Sequence, residues 1–409
     1  MSDKKRNVPA LRFNGFSDAW EQRKLGELAD IVGGGTPATN NKEYWNGDID
    51  WYSPSEIGKQ RYISESRKKI TKLGLQKSSA KLLPVGTILF TSRAGIGNTA
   101  ILMNQGATNQ GFQSIIPNKE KLDSYFIYSR TDDLKKYGEM TGVGSTFLEV
   151  SGKQMTNMPI LTPTLAEQQI IGAFFQHLDN TIALHQRKLD TLKQMKKGFL
   201  QQLFPENGEK LPRVRFADFE EEWEQRKLGE LVKFFSGLTY SPNNIVNEDG
   251  TLVLRSSNVN SGEIIFTDNV YVDCKTVNSS NVQVGDIIVV VRNGSRNLIG
   301  KHAIIKKEMN NTVIGAFMIG IRSNKSDFVN VLLDTQQFRI GISKNLGATI
   351  NQITTGAFKQ MAFSIPKNVE EQQQIGAFFK QLDNIVTLHK NNIDRLKALK
   401  KAYIKSMFV

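Results

Sequence analysis

A single cysteine, Cys274, excludes an intramolecular disulfide framework and a cysteine-rich zinc site. A reducing cytoplasm is the expected compartment, and the thiol itself is expected to be incidental. The opening segment, MSDKKRNVPALRF, carries charge with no apolar stretch behind it, so neither a signal peptide nor a membrane anchor is expected. Catalytic signatures are also missing. There is no Asn-Pro-Pro-aromatic motif of an amino-methyltransferase, no GxGxxG after a strand, no HExxH and no GxSxG. The segment Gly294 to His302, GSRNLIGKH, approaches a phosphate-binding loop. Its glycine spacing is one residue too long, and His302 stands where Ser or Thr should hold magnesium.

What is present is basic and globular. Hydrophobic residues make up 39% and charged residues 23%, and 53 Lys and Arg against 40 Asp and Glu leave a net charge of +13. Such a balance points to a polyanionic partner, nucleic acid above all, with a basic protein lacking such a partner as the competing reading. The length of 409 residues suggests two or three domains.

The chain is written twice. Pro9 to Leu28 reads PALRFNGFSDAWEQRKLGEL and Pro212 to Leu231 reads PRVRFADFEEEWEQRKLGEL, with WEQRKLGEL identical in both. Further along, Glu167 to Phe204 opens EQQIIGAFFQHLDNTIALH and Glu371 to Phe408 opens EQQQIGAFFKQLDNIVTLH. Between these matched stretches the halves diverge, yet LPVGTILF (Leu83 to Phe90) has a counterpart in VQVGDIIVVV (Val282 to Val291), and GST (144–146) has one in GAT (347–349). A repeat of about half the chain is far longer than a solenoid unit, and it reads as a pseudo-dimer in one chain.

The second pair of repeats has the spacing of a coiled-coil seam. Apolar residues fall at Ile171, Phe175, Leu178, Ile182, Leu189, Leu192, Phe199 and Leu203, and again at Ile375, Phe379, Leu382, Val386, Ile393, Leu396, Tyr403 and Met407. Each helix would run about 57 Å. Separate amphipathic helices, each on its own domain, are the alternative. Antiparallel pairing of the two would bring His185 and His389, which share a seam position near the helix midpoints, close together as a register-fixing polar layer.

The expected architecture is α+β: two α/β-type globular recognition domains in pseudo-two-fold arrangement, separated by an antiparallel coiled coil of two long helices. The expected boundaries are 1–165 for an arm and first domain, 166–204 for the first helix, 205–222 for a linker, 223–368 for the second domain and 369–409 for the second helix. Gly33 to Pro37 reads as a loop, Gly86 to Phe90 and Asp286 to Val291 as buried strands, and Ser124 to Tyr137 as a helix.

Polar and basic residues follow those strands, in TSRAGIGN (Thr91 to Asn98) and VRNGSRNLIGK (Val291 to Lys301). Arg, Asn and Gln can pair bidentately with guanine or adenine edges in the major groove. Candidate readers are Arg93, Asn98, Asn109, Gln110 and Gln113 in the first half, and Arg255, Asn258, Arg292, Asn293, Arg296 and Asn297 in the second. For any one of them a turn-stabilising or phosphate-contacting role competes with base reading.

The duplicated WEQRKLGEL, Gly35-Thr36-Pro37, Tyr44-Trp45, the SRAGIGN and NQGF runs, the GST loop and the EQQ openings of both helices together resemble the specificity subunit of a type I restriction-modification system. The second EQQ lies one residue further from its proline, Pro366, than the first lies from Pro163. The resemblance covers almost the whole chain and implies two target recognition domains, each reading half of an interrupted double-stranded DNA sequence. It implies helices that space the domains and dock two methyltransferase subunits, with restriction and translocase subunits joining the complex. S-adenosylmethionine, ATP and magnesium would be used by those partners, with no cofactor or metal in this chain, and the location would be the bacterial cytoplasm. Two readings of other kinds stay open: a self-sufficient methyltransferase or nuclease with an unrecognised motif, and an interaction scaffold that does not read DNA.

Overall fold

The computed structural model describes residues 7–93, 95–143, 148–206, 209–247, 249–346 and 351–409. The chain forms two compact units, Met1–His185 with Asn392–Val409, and Gln186–Asn391. Each unit takes part of both long helices, Leu165–Gln202 and Val369–Met407.

In the first unit a five-stranded sheet runs in the order Ala29–Gly33, Gln113–Pro117, Ile88–Phe90, Thr99–Leu102 and Tyr62–Ile63. A three-stranded sheet places Trp45–Tyr52 between Lys68–Ile70 and Gly106–Thr108. The second unit has a four-stranded counterpart of the first sheet, Lys233–Ser236, Met318–Arg322, Ile287–Val290 and His302–Ile304. In its other four-stranded sheet Thr251–Leu254 pairs in parallel with Thr312–Ile314, as Trp45–Tyr52 does with Gly106–Thr108. The central strands Ile88–Phe90 and Ile287–Val290 are wholly buried, in keeping with their unbroken apolar runs.

The repeated WEQRKLGEL closes each unit. Glu21–Lys24 pairs antiparallel with Pro159–Thr162, and Glu224–Lys227 pairs with Ala362–Ile365. Trp20 and Trp223 are buried beside Leu25 and Leu228. Gly26 is required by close approach, since a Cβ there would fall 2.3 Å from Cγ2 of Thr156.

The opening residues of the long helices lock onto the chain before each closure strand. Arg12 donates from Nε and Nη2 to the two carboxylate oxygens of Glu167, both at 2.7 Å, and Arg215 does the same to Glu371 at 2.7 and 2.8 Å. Glu167 and Glu371 are 0% exposed. Each guanidinium is held above its ordinary pKa by the bond to its carboxylate, against the opposing effect of burial. Gln168 ties the helix to its own domain by donating to the carbonyls of Lys121 and Pro163.

The seam residues do two things at once. Ile171 and Phe175 belong to the core of the first unit with Trp20, Phe126 and Met407, and Phe175 stacks on Phe408 at 5.6 Å. Lys400 donates to Asp179 at 2.7 Å, and Phe174 meets Tyr403 edge-on. In the second unit the helices exchange roles: Phe204 packs with Phe379, Phe199 meets Phe378 edge-on, and Lys196 pairs with Asp383 at 2.6 Å. In each unit, residues later in one helix meet residues earlier in the other, so the pairing is antiparallel. Both the coiled-coil reading and the reading of helices lying on their own domains describe part of the packing.

Each cross-helix ion pair also reaches its domain. Asp179 accepts from the Tyr125 hydroxyl at 2.8 Å, and Arg61 donates to that hydroxyl at 3.0 Å. Burial, with Asp179 adding to it, pushes the Tyr125 hydroxyl far above its usual range, so it acts as a neutral donor. In the second unit Lys196 also reaches Asp334 at 2.8 Å, and Asp334 lies 3.5 Å from Nε2 of His302. Burial alone would raise the Asp334 carboxyl, but His302 and Lys196 outweigh it and hold it below its ordinary value.

The helix expected over Ser124 to Tyr137 is two, Ser124–Ser129 and Thr131–Thr141. The break is at Arg130, whose side chain is drawn to the Leu161 carbonyl and Asp133. Gly33 ends a strand rather than opening the loop. His185 belongs to the first unit and His389 to the second, and both are half-buried.

Candidate nucleic-acid interface

The loops that carry the candidate readers hang on the same backbone hydrogen bonds in both units. After Ile88–Phe90, Ser92 donates to the Gly111 carbonyl (2.8 Å), Val150 donates to the Ser92 carbonyl (3.0 Å), and Arg93 bridges to Glu149. After Ile287–Val290, Val291 donates to the Phe317 carbonyl (3.0 Å), Ile353 donates to the Val291 carbonyl (2.9 Å), and Arg292 bridges to Gln352. Arg93 and Arg292 therefore occupy one node of a shared scaffold.

A neighbouring loop repeats in the same way. Asn109 donates its backbone N–H to Tyr52 and Gly315 donates to Leu254, while Ser53 and Arg255 donate theirs to the side chains of Glu56 and Asn258. By these bonds Ser53 corresponds to Arg255, Asn109 to Gly315 and Gly111 to Phe317. The backbone is held constant and the displayed side chains differ.

In the first unit an open groove brings together Arg93, Asn98 and Asn109, with Ser53, Ser55 and Pro54 on its wall. Arg93 is 3.9 Å from Glu149, too loose to be a committed hydrogen bond. Asn98 is exposed. The carbonyl oxygen of the Asn109 side chain accepts from Gly111, which leaves its amino group to the groove. Gln110 lies apart from these lining residues and accepts from Thr36 at 2.5 Å. Gln113 sits in a strand with its side chain against Gly33 and Gly152, a packing role. Beneath the groove Tyr52 is fully buried, and burial, reinforced by Asp50 and Glu56, keeps its hydroxyl protonated well above the usual range.

In the second unit Arg292, Arg296 and Asn297 are exposed. The Arg292 guanidinium lies 4.8 Å over the ring of Phe317, which is itself 50% exposed. Asn293 is spent within the loop, donating to Ser256 and accepting from Ser295, both at 2.9 Å. Arg255 donates to the carboxylate of Asp268 at 2.6 Å and to its carbonyl at 2.9 Å.

Asn258 must be withdrawn from the candidate readers. It is 0% exposed, it accepts from Arg255, and it donates to the carbonyls of Ile265 and Thr267. It is the capping residue that Glu56 is in the first unit. Phe317, Ser53 and Ser55 were missed by residue type. Laying NQGF (109–112) over GAFM (315–318) is the signal that would have found Phe317. GST (144–146), GAT (347–349) and Ala94 of TSRAGIGN lie outside the described residues.

Among the described residues no group of three or more His, Cys, Asp or Glu is placed to hold a metal ion. No helix of the described residues is long and apolar enough to cross a membrane.

Comparison with known proteins adds a family to this geometry. The profile described as type I restriction modification DNA specificity domain matches twice, over residues 17–194 and 220–398. The chain is 34% identical over 227 residues to the type I restriction enzyme MjaIX specificity subunit of Methanocaldococcus jannaschii, covering 53% of this chain and 52% of that protein. It is 30% identical over 167 residues to the EcoR124I/EcoR124II specificity subunit of Escherichia coli, covering 39% and 41%. The chain thus spans about half the length of these two relatives. A putative MjaX specificity subunit of M. jannaschii is 24% identical over 97% of this chain and 95% of its own length. The crystal structure of a type I restriction-modification S subunit from M. genitalium shares the fold with a TM-score of 0.67 at 14% identity, covering 98% and 99% of the two chains.

Proposed function

The chain belongs to the type I restriction-modification DNA specificity family, and we propose that its two units each read one half of an interrupted double-stranded DNA target. The observation that carries this reading is the shared loop scaffold: identical backbone bonds hold Arg93 and Arg292, while the residues around them differ. Two copies of one frame with unlike side chains suit two unlike half-sites, about one duplex turn apart. The net charge of +13 supplies the sequence-independent attraction to phosphate.

The helices serve partners. Some positions that face solvent in both copies are identical, among them Gln169 and Gln373, Ala173 and Ala377, and Leu184 and Leu388. Folding does not require exposed leucines to match, whereas docking the same methyltransferase subunit twice does. Restriction subunits join that core. S-adenosylmethionine, ATP and magnesium are handled by these partners, and the chain itself performs no chemistry, in the cytoplasm of a bacterium.

Lengthening the helices tests both the reading and the ruler. Matched seven-residue insertions after Gln186 and after Lys390 keep the seam in register and add roughly 10 Å. The unspecified stretch between methylated half-sites should grow by about three base pairs, at 3.4 Å each. An unchanged spacing in methylation mapping contradicts the proposal.

A further inference from the structure

The geometry points to Arg292 and Phe317 as one reading unit of the second domain, which recognises a guanine in the major groove of its half-site. The assignment rests on the proposed function and adds a base to it. Phe317 is 50% exposed in the short link Gly315-Ala316-Phe317 between two strands, and packing gives no reason to place a phenyl ring there. Its carbonyl accepts from the backbone N–H groups of both Val291 and Arg292, at 3.0 and 3.2 Å, so ring and guanidinium are fixed by one short stretch of backbone.

How an arginine is immobilised decides what it can still do. Arg255 is tied through Nη2 to the carboxylate and carbonyl of Asp268, so its charge is already paired within the domain. Arg93 lies beside Glu149, its partner position is Gly111, and among the described residues no ring stacks on its guanidinium. Arg292 is held by a ring face at 4.8 Å, and among the described residues no carboxylate is within ion-pair distance of it. Stacking leaves the in-plane N–H groups unspent. A planar fork with free edge donors and few rotamers left to lose is what bidentate pairing to guanine O6 and N7 needs. A phosphate contact would gain nothing from such orientation.

The test uses the full chain with its partner subunits and reads the methylated sequence base by base. Arg292→Lys and Phe317→Leu should each remove the requirement for guanine at one position of one half-site, with the other half-site unchanged. Phe317→Tyr, which keeps the ring, should keep the requirement. Affinity of Arg292→Ala for the cognate duplex should fall roughly 10- to 100-fold, and affinity for random duplex much less. An unchanged methylated sequence overturns the assignment, as does an equal loss of affinity on every sequence, the mark of a phosphate contact. Retention of the other specified bases of the second half-site reports that the variants fold. If the unaltered chain directs no two-part methylation, the proposed function fails before the assignment is reached.

Discussion

Replacing residues 20–163 with the corresponding segment of another family member should change one half of the DNA target and leave the other half as it was. The cut points follow from packing. Trp20 and Pro163 flank the antiparallel closure of Glu21–Lys24 on Pro159–Thr162, so an exchange between them carries the closure whole. Arg12 and Glu167 lie outside the exchanged segment and keep their bond. The loops of the second unit are held by bonds internal to that unit, through Val291, Phe317 and Ile353, and the exchange touches none of them. Each misread base pair costs about 1–3 kcal/mol. A half-site of three changed pairs therefore costs the old target roughly 3–9 kcal/mol. Methylation mapping checks this, and alteration of both halves would show that the units do not read independently.

Removing one partner of a duplicated buried ion pair should be the most damaging single substitution. In Arg215→Ala the Glu371 carboxylate, 0% exposed, keeps among the described residues only the Trp223 indole N–H at 3.3 Å. An uncompensated buried charge costs about 3–5 kcal/mol. Arg12→Ala should do the same to the first unit through Glu167. The double variant Arg215→Met/Glu371→Leu leaves no orphaned charge and should recover most of the loss. Denaturant titration measures each case. A loss under about 1 kcal/mol for Arg215→Ala, the worth of an exposed pair, would mean that water solvates the carboxylate.

Much of this architecture can be read from the sequence, because the duplication and the helical seam are local patterns. What joins them cannot. Arg12 and Glu167 stand in separate repeated motifs, and nothing in either says that they bond across 155 residues. The same holds for WEQRKLGEL, whose strand is defined by a partner far along the chain. Which unit buries each stretch of helix is not legible either, because helix ends mark where a helix stops, not which core buries it. At the interface residue type was a weak guide. A capping asparagine such as Asn258 and a displayed one such as Asn98 look alike until burial separates them. Phe317 has no group that can hydrogen-bond a base edge, so residue type alone does not single it out.

The central claim is that one frame, written twice, reads two unlike DNA half-sites. Single-base methylation mapping in cells that hold the unaltered chain and its methyltransferase partners tests it most directly. The expected result is an asymmetric target in two specified parts separated by unspecified bases. A continuous or palindromic target, or methylation that does not depend on this chain, would contradict it.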